Sequence, residues 1–512
     1  MTDHTTAPPS DLERVSTGSA GLDAILRGGL PRGGLYLIEG RPGTGKTILA
    51  GQVCFAHLAA GGRALYVTLL TESHSRMLAQ LRTLAFYDAA AVGESLYFLS
   101  ATRPLEAEGP RGVLDLVRQV IRERGATLLV IDGVAAVREA ATGLEFKRFL
   151  QDVQALLEST GATGLLLAAP VGGAVAPEQT MADGIITLHD RQFGAYDELQ
   201  LEVVKCRATA YLRGRHSVEI TAAGLVVHPR TEVRYAARPA PPPAAEAQLG
   251  FGAPGLDALL GGGPRAGSVT VALGSPGTGK TNLGLQFLAA GVRAGERGLH
   301  FGAYEAPPRL LAEAGRLGLD LGDAANRGLL ELVWRPALGV SLDALAEELL
   351  AAVARHRPAR TVVDGLDAFG HAALEQERLP RFLAALFQQL RGHGVTTLAL
   401  REQQEFFGPA APIPLNGAAE LADNVVFLRT AELHGRLRRF VAVLKLGEGN
   451  PDPAIRELRF TGAGIDVAGG FGNAEAILTG MARLPASGDA ATTDAGTVPR
   501  GGSHAADDPG RG

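Results

Sequence analysis

Two separate motifs recur in this chain at one fixed spacing. GSAGLDAILRGGLPRG begins at Gly18 and GAPGLDALLGGGPRAG at Gly252, and each runs into a glycine-rich loop, GRPGTGKT from Gly40 and GSPGTGKT from Gly274. Both motifs are displaced by the same 234 residues. A shared offset across independent motifs means a duplicated domain, so whatever the first half folds into, the second must fold into as well. Between the copies, RYAARPAPPPAAEAQ is proline-rich and reads as a semi-rigid extended linker. After Leu484 the sequence has no apolar period and reads as a disordered tail. The expected division is a first domain over 1–233, a linker over 234–248, a second domain over 249–483 and a tail over 484–512.

Each copy alternates apolar strands with helical patterns. In the first, strands are expected at 35–39, 64–70, 96–100 and 127–133, with Val113, Leu116, Val117, Val120 and Ile121 at helical spacing before Gly125. In the second, strands are expected at 269–273, 299–303 and 360–365, with a helix carrying Leu342, Leu345, Leu349, Leu350 and Val353. Strands alternating with helices of this length predict an α/β fold, a mostly parallel sheet with helices on both faces, twice over.

Composition narrows the function. At 512 residues the chain has room for two large domains or about three average ones. The net charge of −5 and the 5% aromatic content give no excess of basic charge and few stacking platforms for nucleic acid. A nucleic-acid partner is therefore not expected. Cys54 and Cys206 are too few and too far apart for a zinc motif or a disulfide framework, which suits a reducing cytoplasm. The N-terminus has no signal-peptide pattern, and the longest apolar stretch, 161–177, is broken by glycine and proline short of a membrane span. A cytoplasmic protein without a membrane partner is expected, and 161–177 should be a buried strand running into a loop.

The lysines are informative because they are rare. Only five occur, Lys46, Lys147, Lys205, Lys280 and Lys445, against 49 basic residues in all. Surface charge is arginine by default here, so a lysine marks a place where a compact ammonium is wanted. Lys46 and Lys280 belong to loops that satisfy G-x-x-x-x-G-K-[ST] between an apolar strand and a helix, which is the context of a P-loop. The expected phosphate cradles are Gly40, Arg41, Pro42, Gly43, Thr44, Gly45, Lys46 and Thr47 in one copy. In the other they are Gly274, Ser275, Pro276, Gly277, Thr278, Gly279, Lys280 and Thr281. Backbone amides wrap the phosphates, the lysines reach the β and γ phosphates, and Thr47 and Thr281 face Mg²⁺. Asp132 and Asp364 each end a later apolar strand, where a carboxylate can hold the same Mg²⁺. ATP and Mg²⁺ are the expected ligands.

On these P-loops, the aspartates, the G-x-x-G-L-D lead-in, PEQTMADGIITL from Pro177, ELADNVVFL from Glu420 and AEAILTG from Ala474, the chain resembles the KaiC family of the RecA superfamily over about 15–483. The resemblance implies two RecA-like domains, a double-ring homo-hexamer, ATP bound at subunit interfaces and slow hydrolysis. It also implies a glutamate pair after the strand that follows the P-loop helix, activating the attacking water. In FGAYEAPPRLL, Glu305 matches the first glutamate and Ala306 replaces the second. In YVTLLTESHSRML, Leu70 and Thr71 take the pair's positions and Glu72 sits displaced beside them. One carboxylate suffices as a base. Lys46, Lys280, Glu305 and Glu72 are the expected catalytic set.

The resemblance further implies a Lys-x-Arg pair on a late strand, reaching a neighbour's γ-phosphate. LEVVKCRATAYLRG supplies Lys205 and Arg207, with Arg213 as an extra contact, whereas VAVLKLGEGN keeps Lys445 but has Gly447 in the arginine's place. Four of the five lysines thus fall in the P-loops and at these two strand positions, and Lys147 reads as surface charge. Neither copy has the full set, so both sites should be slow. The leading expectation is an ATPase ring whose nucleotide state a signalling protein partner reads. The alternatives are a nucleotide-gated scaffold with negligible hydrolysis, a serine/threonine autokinase by analogy, and, disfavoured, a DNA recombinase or helicase. Against the autokinase, Ala419 and Glu420 stand where the family's clock protein carries its phosphorylated Ser-Thr pair.

Overall fold

The computed structural model describes residues 12–69, 74–170, 176–194, 196–236, 247–403, 418–433, 436–447 and 452–468. Within them lie two nine-stranded sheets of the same topology. Across the first, the order is Leu96–Ser100, Ala64–Thr68, Leu128–Asp132, Thr163–Ala168, Leu35–Gly40, Gly184–Phe193, Tyr196–Cys206, Arg215–Thr221 and Gly224–His228. Across the second it is Leu330–Trp334, Gly298–Gly302, Arg360–Asp364, Thr396–Glu402, Val269–Gly274, Asn424–Leu433, Arg436–Lys445, Arg456–Thr461 and Gly464–Val467. The duplication read from the motifs is therefore a duplication of architecture. The anticipated α/β class holds, with each expected strand present to within one or two residues at its ends.

The sheet is parallel from its first edge through Gly184–Phe193 and antiparallel beyond it. Strand–helix alternation predicts the parallel part but carries no information about the antiparallel hairpins. Those hairpins decide the site, because they return the chain to the end of the sheet remote from the P-loop.

Side chains of the central strand alternate between two cores. Leu35 and Leu37 face a cluster with Val113, Val117, Phe146 and Phe149, while Tyr36 and Ile38 face one with Leu49, Val53 and Tyr66. This period-2 split is what a sheet buried on both faces requires, and it makes the strands read as continuous apolar runs. Residues 163–168 of the apolar stretch are the expected buried strand, and 171–175 lie outside the described residues. Among the described residues no helix is long and apolar enough to cross a membrane.

Candidate functional site

Both P-loops sit where a central strand turns into a helix. Leu35–Gly40 leads into Lys46–Ala59, and Val269–Gly274 into Lys280–Arg293. Gly43 (φ 86°), Gly45 (φ 93°), Gly277 (φ 76°) and Gly279 (φ 99°) hold the left-handed backbone that turns successive amides inward, and side chains there would be strained. Space enforces the same choice at Gly279, where a Cβ would stand 2.0 Å from the Phe460 ring.

The two lysines are held alike. Lys46 Nζ donates to the carbonyls of Gly40 (2.7 Å) and Arg41 (2.9 Å), and Lys280 Nζ to those of Gly274 (2.8 Å) and Ser275 (3.0 Å). Thr44 and Thr278 brace the loops by donating to the Arg41 and Ser275 carbonyls at 2.9 and 2.8 Å. Burial pushes both ammonium pKa values down, and nearby carboxylates push back: Asp132 for Lys46, and Glu402, Asp364 and Asp367 for Lys280. An ammonium that is partly desolvated and tied only to carbonyls is ready to exchange them for phosphate oxygens.

Behind each loop the threonine and the aspartate meet as anticipated. Thr281 Oγ1 lies 2.9 Å from Asp364 Oδ2, and Thr47 Oγ1 lies 3.5 Å from Asp132 Oδ2. A hydroxyl and a carboxylate side by side are hard oxygen donors of the kind Mg²⁺ takes, with phosphates and waters completing its shell. The residues present therefore fit Mg²⁺.

Here the copies diverge in a way that sequence reasoning missed. Tyr66 is fully buried and its hydroxyl donates to Asp132 Oδ2 at 2.9 Å. Burial first, then the Asp132 charge, pushes the Tyr66 pKa well up, so the phenol keeps its proton. The same strand position in the second copy is His300, whose Nε2 stands 3.7 Å from Asp364 Oδ2 and whose ring nitrogens have no hydrogen-bond partner among the described residues. The signal for this lay in aligning ALYVT with GLHFG, where Tyr66 faces His300 and Thr68 faces Gly302. The imidazole leans over Gly302, at which a Cβ would lie 2.7 Å from the ring.

Glu305 joins the second site. A cavity of about 440 Å³ is lined by Lys280, Thr281, Glu305, Arg309, Arg439 and Phe460, among others. Glu305 pairs loosely with Arg309, at 3.8 Å, so its carboxylate is oriented yet remains in contact with the cavity. Leu70, Thr71 and Glu72 lie outside the described residues. Glu402 is a further acid that the motifs did not single out. It ends the strand beside the P-loop strand, and its backbone amide donates to Asp367 Oδ2 at 2.5 Å.

Lys205, Arg207 and Lys445 are not at the P-loop of their own copy. Asp183, to which Arg207 is paired at 3.3 Å, accepts from the Leu35 amide at 3.0 Å, at the start of the central strand. The P-loop leaves the other end of that six-residue strand, roughly 17–20 Å away. Lys205 Nζ donates to the carbonyls of Gln179, Thr180 and Ala182, and Lys445 Nζ to those of Glu420 and Ala422. Burial lowers the Lys205 pKa, with the Arg207 charge adding to it. Arg213 is exposed on the segment that follows.

Two sheets of this topology, each with a P-loop, a threonine–aspartate pair and a strand-end lysine, define a tandem P-loop protein of the RecA-like kind. The family profile described as "ATPase: KaiC" matches residues 15–232 and again 249–470, and the chain belongs to that family. It is 26% identical over 485 residues to the circadian clock oscillator protein KaiC of Picosynechococcus, with 92% of each chain covered. It is likewise 26% identical over 489 residues to KaiC 1 of Synechocystis, and 25% over 482 residues to KaiC of Synechococcus elongatus, again with 92% of both chains covered. The chain is thus an ATP-binding protein of the KaiC kind.

Proposed function

We propose that this protein is a slow Mg²⁺-dependent ATPase that works as a homo-hexameric ring, each nucleotide lying between the P-loop of one subunit and the strand-end cations of the next, and that a signalling protein reads the ring's nucleotide state. The observation that carries the ATPase reading is the second-copy cavity, in which Lys280, Thr281 and Glu305 converge. The placement of Lys205, Arg207 and Lys445 supports the ring. Cations at the end of the sheet remote from their own P-loop can meet phosphate only on another copy.

In this reading the P-loop amides and Lys280 hold the triphosphate, and Glu305 accepts the proton of the water that attacks the γ-phosphorus, giving ADP and phosphate. Thr281 and Asp364, or Thr47 and Asp132, would hold Mg²⁺, which would supply positive charge to offset that of the triphosphate. Most turnover should belong to the second copy, since Glu305, which matches the first glutamate of the family's pair, lines the cavity that holds Lys280 and Thr281. The missing arginine at Gly447 works against this, but Lys445 keeps a cation at that strand end.

Glu305→Gln keeps shape and hydrogen bonding and removes the base. It should abolish most hydrolysis while leaving ATP bound, whereas Glu72→Gln should cost less. Steady-state phosphate release and bound nucleotide, measured together, decide the point. Near wild-type turnover in Glu305→Gln with loss in Glu72→Gln would reverse the assignment of the two copies. Full ATP occupancy with negligible release in the unmodified chain would favour the nucleotide-gated scaffold.

A further inference from the structure

The second copy lacks the strand-end arginine, yet the two copies present the same charge pattern at that end of the sheet. In the first copy, Lys205 caps the carbonyls of Gln179, Thr180 and Ala182 and Arg207 pairs with Asp183. In the second, Lys445 caps the carbonyls of Glu420 and Ala422, and Asp423 occupies the place of Asp183: its carboxylate accepts from the Val269 amide at 2.7 Å, as that of Asp183 does from Leu35. The side chain paired with Asp423 is Arg391. Its Nε and Nη2 donate to Asp423 Oδ2 at 3.1 and 3.0 Å, and Nη2 also donates to the Leu421 carbonyl at 2.7 Å. Arg391 thus holds the carbonyl of residue 421, between those of 420 and 422 that Lys445 holds.

The guanidinium comes from a different element. Arg391 lies in the last turn of the helix Leu379–Gly392, whereas Arg207 follows the strand Tyr196–Cys206. The helix–strand junctions align: the Val395 amide donates to the Leu390 carbonyl, and the Ala162 amide to that of Leu157. Thr396 and Thr163 likewise accept from Gly267 and Gly33. The residue after Leu157 is Glu158, so the first copy has an acid where the second has Arg391. One copy has arginine on the strand and an acid on the helix. The other has glycine on the strand and arginine on the helix. Beside Gly447 a cavity of about 290 Å³ opens, lined by Arg391, Asp423, Asn424 and Arg265 among others.

We propose that Arg391 is the guanidinium that the second copy holds out to the nucleotide of an adjoining subunit, in place of the arginine missing at Gly447. The inference rests on the ring reading above. An arginine at that position neutralises charge developing on the transferred phosphoryl group, which a lysine, as a point charge without a planar fork, does less well. A merely structural Arg391 would tie its helix to residues 421–423 and do nothing across an interface.

The test uses the full-length chain. Second-copy turnover is the activity lost in Lys280→Ala. Arg391→Ala should lower that share at least tenfold while nucleotide stays bound at both P-loops, and Gly447→Arg in the Arg391→Ala chain should restore it to within a few-fold. Mixing Arg391→Ala with Lys280→Ala subunits should then yield more turnover than the mean of the two alone, because some interfaces regain both an intact P-loop and an intact Arg391. A mixture equal to that mean, no rescue by Gly447→Arg, or a second-copy share under one tenth of the total would overturn the inference while leaving the ring intact. A chain that stays monomeric in sedimentation with saturating ATP would overturn the ring reading, and this inference with it.

Discussion

At the residue scale, the rarity of lysine was the most productive clue. Two of the five lysines are bound to P-loop carbonyls and two to carbonyls at the far end of the sheet, so a count made on the sequence anticipates two pairs of equivalent placements. The pairing of Thr281 with Asp364 was also legible, because both belong to a known pattern. The Tyr66–Asp132 bond was not, since a tyrosine in an apolar strand reads as core until the neighbouring strand is in register with it. Tyr66→Phe removes a buried hydrogen bond to a carboxylate, which is worth about 1.5–3 kcal/mol. His300→Phe removes no hydrogen bond seen among the described residues. Calorimetry should show Tyr66→Phe lowering the melting temperature by more than His300→Phe does. The reverse order would mean that the imidazole, not the phenol, holds its metal aspartate.

At the element scale, the central strands of the parallel half were readable where they form continuous apolar runs buried on both faces, whereas Thr396–Glu402 and the half-exposed edge strand Leu330–Trp334 were not singled out. The hairpins were harder. Gly184–Phe193 and Tyr196–Cys206 mix exposed and buried residues along their length, so they give neither the continuous apolar run of a central strand nor a clean alternation. Yet the length of the second hairpin strand carries Lys205 to the start of the central strand, on the far side from the P-loop. The motif identified the lysine, and only the topology shows why it cannot serve its own copy. The exchange of Arg207 for Arg391 is invisible to motif reading for the same reason, since the two arginines lie on unrelated elements and meet equivalent carboxylates only after folding.

At the scale of the whole molecule, the copies are joined by a dense charge network. Arg378 of the second copy donates to Glu232 of the first at 2.9 and 3.0 Å and to the fully buried Asp343 at 2.9 and 3.1 Å. Thr231 adds two bonds of 2.9 Å to Asp343. Nearby, His228 meets Glu347 at 2.7 Å, and Arg234 meets the same carboxylate at 2.6 Å. Burial pushes the His228 pKa down, but the Glu347 hydrogen bond and the charges of Glu347, Glu219 and Asp343 outweigh it, so the pKa is raised. The charged imidazole therefore adds fully to the contact below its ordinary value of 6.5, and the contribution is lost as pH rises through the higher folded value. As pH rises above 6.5 the melting temperature should fall more steeply in the unmodified chain than in His228→Ala. Parallel slopes would show that His228 is not charged at this contact.

The central claim is that both copies are nucleotide sites of one ring, and native mass spectrometry of the full-length chain with and without Mg-ATP tests it most directly. The account predicts a hexamer in ATP carrying two nucleotides per subunit, with Lys46→Ala and Lys280→Ala each removing one of the two. A single nucleotide per subunit at saturating ATP, or a count unchanged by either substitution, would contradict it.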